Sequence, residues 1–167
     1  MMKIERKWAM PSPETFGIKP IAELLDKEIT EGEWVDPFAR DSKRANITND
    51  INENTSAEFH MDALEFLKML DGNWADGVLY DPPYSLRQVK ECYNSKGRDL
   101  TSHESRHFFS DLKKEIARIV KPGGKVISFG WNSGGIGKTN GFEIQRILLV
   151  PHGGPHHDTI VTVEIKR

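Results

Sequence analysis

A chain of 167 residues, 37% hydrophobic and 29% charged, has enough material to bury one core and little for a second. Its net charge of -2 excludes a general pull toward nucleic acid, so any such contact must be local, and the lone Cys92 excludes an internal disulfide or a cysteine metal cage. No apolar run approaches the ~20 residues that span a bilayer, and the charged start MMKIERKW lacks the apolar centre of a signal peptide, so a single cytoplasmic domain over 1–167 with no membrane partner is expected.

Met1 to Gly17 is rich in proline and polar residues and reads as a surface segment. Pro20 suits the first turn of a helix, where its missing N–H costs nothing, and Ile21, Leu24, Leu25 and Ile29 follow at helical spacing until Gly32. Glu33 to Phe38 reads as a first strand, Ala45 to Asp50 as a second and Glu58 to Met61 as a third, running into Asp62. Ala63, Leu64, Leu67 and Leu70 then predict a helix that Asp71-Gly72 breaks.

The fourth strand organises the chain. Val78, Leu79 and Tyr80 suit a buried strand, and Pro82 and Pro83 must stop it because neither can donate to a ladder. Asp81 is thereby set at a strand's carboxyl end, the edge at which open α/β sheets bind ligands. Tyr84 to His103 shows no sustained period and is expected to be irregular; its basic residues Arg87, Lys90, Lys96, Arg98 and Arg106 form the local patch best placed for nucleic acid. Thr101 and Glu104 are spaced as a capping box ahead of an amphipathic helix carrying Phe108, Leu112, Ile116, Ile119 and Val120. Lys125 to Gly130 reads as a fifth strand, and Phe142 to Val150 with Thr159 to Lys166 as a closing antiparallel hairpin.

Strands alternating with helices and then a hairpin predict an α/β, Rossmann-like sheet of about seven strands, mostly parallel. Asp36, Asp50, Asp62 and Asp81 each fall at or beside a strand end, an array suited to a ligand bearing an amine and ribose hydroxyls. Each acid alone is equally well read as a turn former or helix cap.

Two other signals lead elsewhere and are weak. Gly137-Lys138-Thr139 is similar to the end of a phosphate loop, but Asn132 stands where that loop needs glycine. His152, His156, His157 and Asp158 lie in a Gly-Pro turn with no helical spacing to fix a metal, and no metal site is expected.

At Asp81-Pro82-Pro83-Tyr84 the sequence resembles the S-adenosylmethionine-dependent amino-methyltransferases that act on exocyclic amines in DNA, most closely the adenine-N6 branch in the compact form encoded by phages. The order of the surrounding segments matches too: Thr15 to Leu25 with the amino-terminal cofactor motif, Asp36-Pro37-Phe38 with the first-strand motif, and Lys121 to Gly130 with the fifth-strand motif. The resemblance implies a class I methyltransferase fold and methyl transfer to adenine N6 by direct displacement. Asp81 and the Pro82 carbonyl would hold the two amine hydrogens, Pro83 would shape the turn, and Tyr84 would stack on a base drawn out of the helix. For S-adenosylmethionine it implies Asp50 on the ribose, Asp62 on the adenine amine, Phe38 against the ring, and Asp36 at the methionine end, with Phe16 and Lys19 closing over it.

The chain departs from that family in one loop. Ala39-Arg40-Asp41-Ser42 stands where Ala-Gly-x-Gly is usual, placing side chains where glycine lets the backbone approach a ligand. With no separate target-recognition domain expected, DNA specificity falls to Tyr84 to His103, to a partner or to a second copy of the chain. Cytosine N4 in DNA, adenine N6 in RNA and a protein glutamine amide offer comparable nitrogens, and a binding or regulatory protein that keeps the fold without transfer is the alternative outside catalysis.

Overall fold

The computed structural model describes residues 1–167, built on one seven-stranded sheet. In chain order the elements are β1 (Lys3–Arg6), a 3-10 turn (Thr15–Gly17), α1 (Lys19–Glu28), β2 (Trp34–Asp36), β3 (Ile47–Thr48), α2 (Ala63–Lys68), β4 (Ala75–Tyr80) and α3 (Leu86–Asn94). They continue with α4 (Ser102–Ile119), β5 (Val120–Gly130), a second 3-10 turn (Lys138–Asn140), β6 (Phe142–Val150) and β7 (Thr159–Lys166). The strand order is β1-β6-β7-β5-β4-β2-β3, and only β7 runs against its neighbours. This is the expected Rossmann-like α/β sheet with its antiparallel β6–β7 hairpin.

Alternating side chains feed two cores. One gathers Val35, Val78, Tyr80 and Val126 beneath α2, α3 and α4; the other gathers Trp34, Leu79, Ile127 and Val161 beneath α1. Neighbouring strands pack closely at Gly77 on β4, where a Cβ would stand 2.5 Å from the ring of Trp34, its cross-strand partner on β2. The predicted capping box is present in full, with Thr101 accepting from the Glu104 N–H and Glu104 from the Thr101 N–H. No helix is long and apolar enough to cross a membrane.

Three expectations are corrected. Met1 to Gly17 does not simply lie over the surface: Lys3–Arg6 adds a parallel edge strand to β6, tied by Arg146, which bonds Glu5 and, on α1, Glu28. The third strand is reduced to one bridge, Asn49 to Phe59, because the Asn49 carboxamide takes over the role of a ladder partner. It accepts from the Met61 N–H at 3.0 Å and donates to the Met61 carbonyl at 3.0 Å. Tyr84 to His103 is not irregular throughout, since α3 occupies Leu86–Asn94, capped by Ser85 and anchored by Val89 and Tyr93.

Candidate active site

Chain order places the site. From β2 the chain moves outward to β3, then returns to lay β4 on the opposite side of β2 and continues to β5, so the sheet reverses direction between β2 and β4. At such a switch point the loops leave to opposite sides and open a crevice at the carboxyl ends. Asp36 ends β2 and Asp81 follows β4, so both acids stand at this edge of the sheet, Asp81 lining the crevice and Asp36 buried.

Two adjoining cavities fill it, of about 650 and 340 Å³, sharing Thr15, Phe38, Arg40, Asp41 and Asp81. The larger also reaches Asp50, Pro82, Pro83, Tyr84, Cys92 and Tyr93; the smaller is closed by Phe16 and the loop 39–44. Phe16 is held there by its ring, 4.9 Å from that of Phe129.

Asp36 is fully buried, with Oδ1 accepting from the Phe38 N–H at 3.1 Å and Oδ2 without any partner. Burial therefore pushes its carboxyl well above the ordinary range, with Asp81 and Asp50 adding repulsion. Asp81 is raised to about 6 by burial, against the opposing influence of the Tyr84 and Thr15 hydroxyls and the Arg40 charge. Asp50 makes the turn that follows β3, accepting from the Arg40 N–H and the Asn52 N–H, each at 2.9 Å, and retains lone pairs toward the larger cavity.

Above Asp81 lies an aromatic group. The Tyr84 ring meets Trp131 edge-on at 5.8 Å, and Trp131 stacks on His157 at 4.1 Å. Trp131 remains 37% exposed. The Tyr84 backbone is set by Gln88, whose Oε1 accepts the Tyr84 N–H at 2.7 Å from the first turn of α3.

Three predicted site residues line neither cavity: Asp36, buried at the end of β2, Lys19 and Asp62. Lys19 is exposed at the start of α1 and lines neither cavity, because Ile18 and Pro20 on either side are buried and turn it outward. Asp62 lines neither cavity, although Ala63 does. It caps α2, accepting from the Glu65 N–H, while Tyr93 and Arg98 hold its other oxygen.

Sequence reasoning missed Tyr93, and took Thr15 only as the start of the amino-terminal segment and Lys96 only as part of a basic patch. Lys96 spans the mouth of the larger cavity to Asn52 Oδ1 at 3.0 Å, and Tyr93 belongs to the helix whose period was too short to detect. His152 is no metal ligand here: its Nδ1 donates to the Ala9 carbonyl and its Nε2 accepts from Thr159, each at 2.8 Å, pinning the amino-terminal segment to the β6–β7 turn.

Neither a protein-family model nor a curated protein sequence matches the chain. Solved structures do. TrmN from Thermus thermophilus superimposes with a TM-score of 0.61 at 16% identity over 92% of this chain and 50% of that one. The 1,6-didemethyltoxoflavin-N1-methyltransferase from Burkholderia thailandensis, solved with 1,6-didemethyltoxoflavin and S-adenosylhomocysteine, gives 0.58 at 12% identity over 89% of this chain and 77% of that one. NSun6 from Pyrococcus horikoshii, solved with SFG, gives 0.55 at 12% identity over 87% and 50%. The chain spans about half the length of the TrmN and NSun6 chains. It has the fold of the class I methyltransferases.

Proposed function

We propose that the chain is an S-adenosylmethionine-dependent methyltransferase acting on the N6 amine of adenine in DNA. The observation that carries the reading is Asp81, set by the Pro82-Pro83 turn at the sheet's switch point and lining both halves of a crevice that also reaches Asp50, with Asp36 buried close enough to feel both charges. The fold shared with a methyltransferase solved with S-adenosylhomocysteine, and with NSun6 solved with SFG, supports the cofactor.

The residues fit such a cofactor by their chemistry. The orphaned, buried Oδ2 of Asp36 lacks a donor, which an ammonium would supply. Asp50 can accept from ribose hydroxyls while keeping its two backbone bonds, and Phe38 offers an apolar face in both cavities. Asp62 would have to exchange Tyr93 or Arg98 to accept an adenine amine. Bound S-adenosylmethionine would bring an electrophilic methyl group on a sulfonium centre.

An aromatic amine is a poor nucleophile because its lone pair is shared with the ring. Asp81 and the Pro82 carbonyl, accepting its two hydrogens, favour the geometry in which that lone pair leaves the ring plane, and they stabilise the positive charge that builds on nitrogen. With the cofactor's methyl carbon exchanging its bond to sulfur for one to nitrogen, the amine would be left with a proton to shed, and the Asp81 carboxylate, already accepting one of its hydrogens, would receive it. Tyr84, backed by Trp131, provides a face for an unstacked base. Cys92 takes no part, since burial pushes its thiol up and direct displacement needs no protein nucleophile.

A labelled methyl donor offered with DNA, RNA and protein substrates tests the reading. Label is expected in DNA as N6-methyladenine. Label in RNA or protein alone would replace the substrate assignment, and no transfer together with no cofactor binding would leave a binding protein on a methyltransferase fold.

A further inference from the structure

We propose that Arg40 is the specificity-determining residue of the smaller cavity and takes the α-carboxylate of the cofactor's amino-acid end; this rests on the cofactor reading above. Arg40 occupies the left-handed region at φ 53, a conformation that favours glycine. The loop has therefore kept a glycine-like path while gaining a long cation. Its N–H is fixed on Asp50 Oδ2 at 2.9 Å, which sets the backbone from which the guanidinium departs.

That guanidinium is uncommitted. Its one partner is the Pro13 carbonyl, and it forms no ion pair, although it carries five N–H donors. Of the other cations bordering the smaller cavity, Arg44 is paired with Asp26 at 2.8 Å, and Lys43, whose partner is the Ser56 carbonyl, lacks the planar fork that matches a carboxylate. Arg40 also lines both cavities beside Asp81, so it stands where a ligand extending from Asp50 must pass.

Charge complementarity identifies the ligand group. Asp36, Asp50 and Asp81 would receive an ammonium and repel a carboxylate, so an α-amino acid zwitterion needs a cation on the opposite side. Asp36 Oδ2 lacks a donor, and the Arg40 fork lacks an anion. Asp81, which lines the same cavity as Arg40 and has Asp36 buried close enough to feel its charge, would face the ammonium end of the zwitterion, and the Arg40 fork the carboxylate end. A side chain that only filled the space of a glycine would instead exclude the ligand, which predicts the opposite effect of removing it.

Calorimetric titration of the full chain with S-adenosylmethionine and with decarboxylated S-adenosylmethionine, which lacks only the carboxylate, separates the two. The parent is expected to prefer the carboxylated ligand by about tenfold or more, as for a charge-assisted hydrogen bond. Arg40→Gln and Arg40→Gly are expected to bring that ratio near one through weaker binding of S-adenosylmethionine, with no weakening for the decarboxylated ligand, whose extra net positive charge the lost cation no longer repels; melting curves confirm that both variants fold. An unchanged ratio in both variants, or tighter binding of S-adenosylmethionine by Arg40→Gly, overturns the proposal. If the parent binds neither ligand, the cofactor reading itself fails and this proposal with it, an outcome distinct from binding without discrimination.

Discussion

The Tyr84 hydroxyl donates to Asp81 Oδ1 at 2.7 Å. The ring proposed to receive a base is thus tied to the acid proposed to hold that base's amine, and the amine must take the hydroxyl's place. The same bond favours the charged form of Asp81 and works against burial, with about 6 as the balance. In Tyr84→Phe the ring remains and the bond is lost, so the acidic limb of methyl transfer should move above 6. A single-turnover pH profile measures it, and a limb that stays in place would detach Asp81 from the rate.

Asp81 also has a stability consequence. Its value in the folded chain, about 6, exceeds the ordinary 3.8, so between these values the folded state binds more protons than the unfolded one. Stability contributed by Asp81 is therefore lost as pH rises through that window, and the cost persists above it. Asp81→Asn should stabilise the chain at neutral pH by roughly 1 to 3 kcal/mol and lose that advantage below about pH 4. Methyl transfer should disappear in the same variant. Urea melts at both pH values check the first part, and equal stability of variant and parent at neutral pH would count against the burial of a charge at this position.

What the sequence made legible follows from how each feature is encoded. The Asp81 turn could be read because Pro82 and Pro83 are incompatible with a continuing ladder, and α4 because its capping box and four buried apolar positions repeat over 18 residues. β1 was illegible because an edge strand exposed on both faces carries no alternation; KIER pairs through its backbone with the free edge of β6. α3 buries only Val89 and Tyr93, one helical step that no periodicity search can separate from chance. Strand-end position singles out Asp36, Asp50 and Asp81, which the fold gathers closely enough for their charges to act on one another, but position alone does not reveal how an acid spends its lone pairs. Asp62 satisfies the same rule and is used as a cap. Arg40 was visible as a departure from glycine, whereas its left-handed backbone and free guanidinium required coordinates.

The contact between Gly77 and Trp34 governs how β4 packs beside β2, its neighbour in the sheet, where the two residues are cross-strand partners. Since a Cβ at Gly77 would meet the indole at 2.5 Å, and Trp34 is buried with its Nε1 donating to the Thr30 carbonyl at 3.1 Å, the ring has nowhere to retreat. Gly77→Ala should lower stability by about 1 to 3 kcal/mol through overpacking. A denaturant midpoint unchanged from the parent would show that the indole can yield. Because the same two strands carry Asp36 and Asp81, cofactor affinity should fall as well.

Asp36 predicts a proton signal on binding. Burial holds its carboxyl well above the usual range in the free chain, and an ammonium placed against Oδ2 would favour the charged form. Binding at mildly acidic pH should then release a proton to buffer. Titrations in buffers of different ionisation heat would give a slope corresponding to release, which Asp36→Asn removes. A slope of zero, or one indicating uptake, would separate Asp36 from the ammonium.

Trp131 divides substrate binding from cofactor binding. It lines neither cavity, but it lies against Tyr84 on one side and His157 on the other while keeping 37% of its surface exposed. A partly exposed indole in such a stack is suited to an unpaired base, because every base presents an apolar face whatever its sequence. Trp131→Ala should therefore weaken binding of single-stranded or locally unpaired DNA by about 1 to 3 kcal/mol, the range for one base stacked on an aromatic ring. Affinity for S-adenosylmethionine should be unaffected, since no wall of either cavity is removed. Fluorescence anisotropy with a labelled oligonucleotide and calorimetry with the cofactor measure the two separately; if both affinities fell together, the indole would be supporting the crevice rather than facing the substrate.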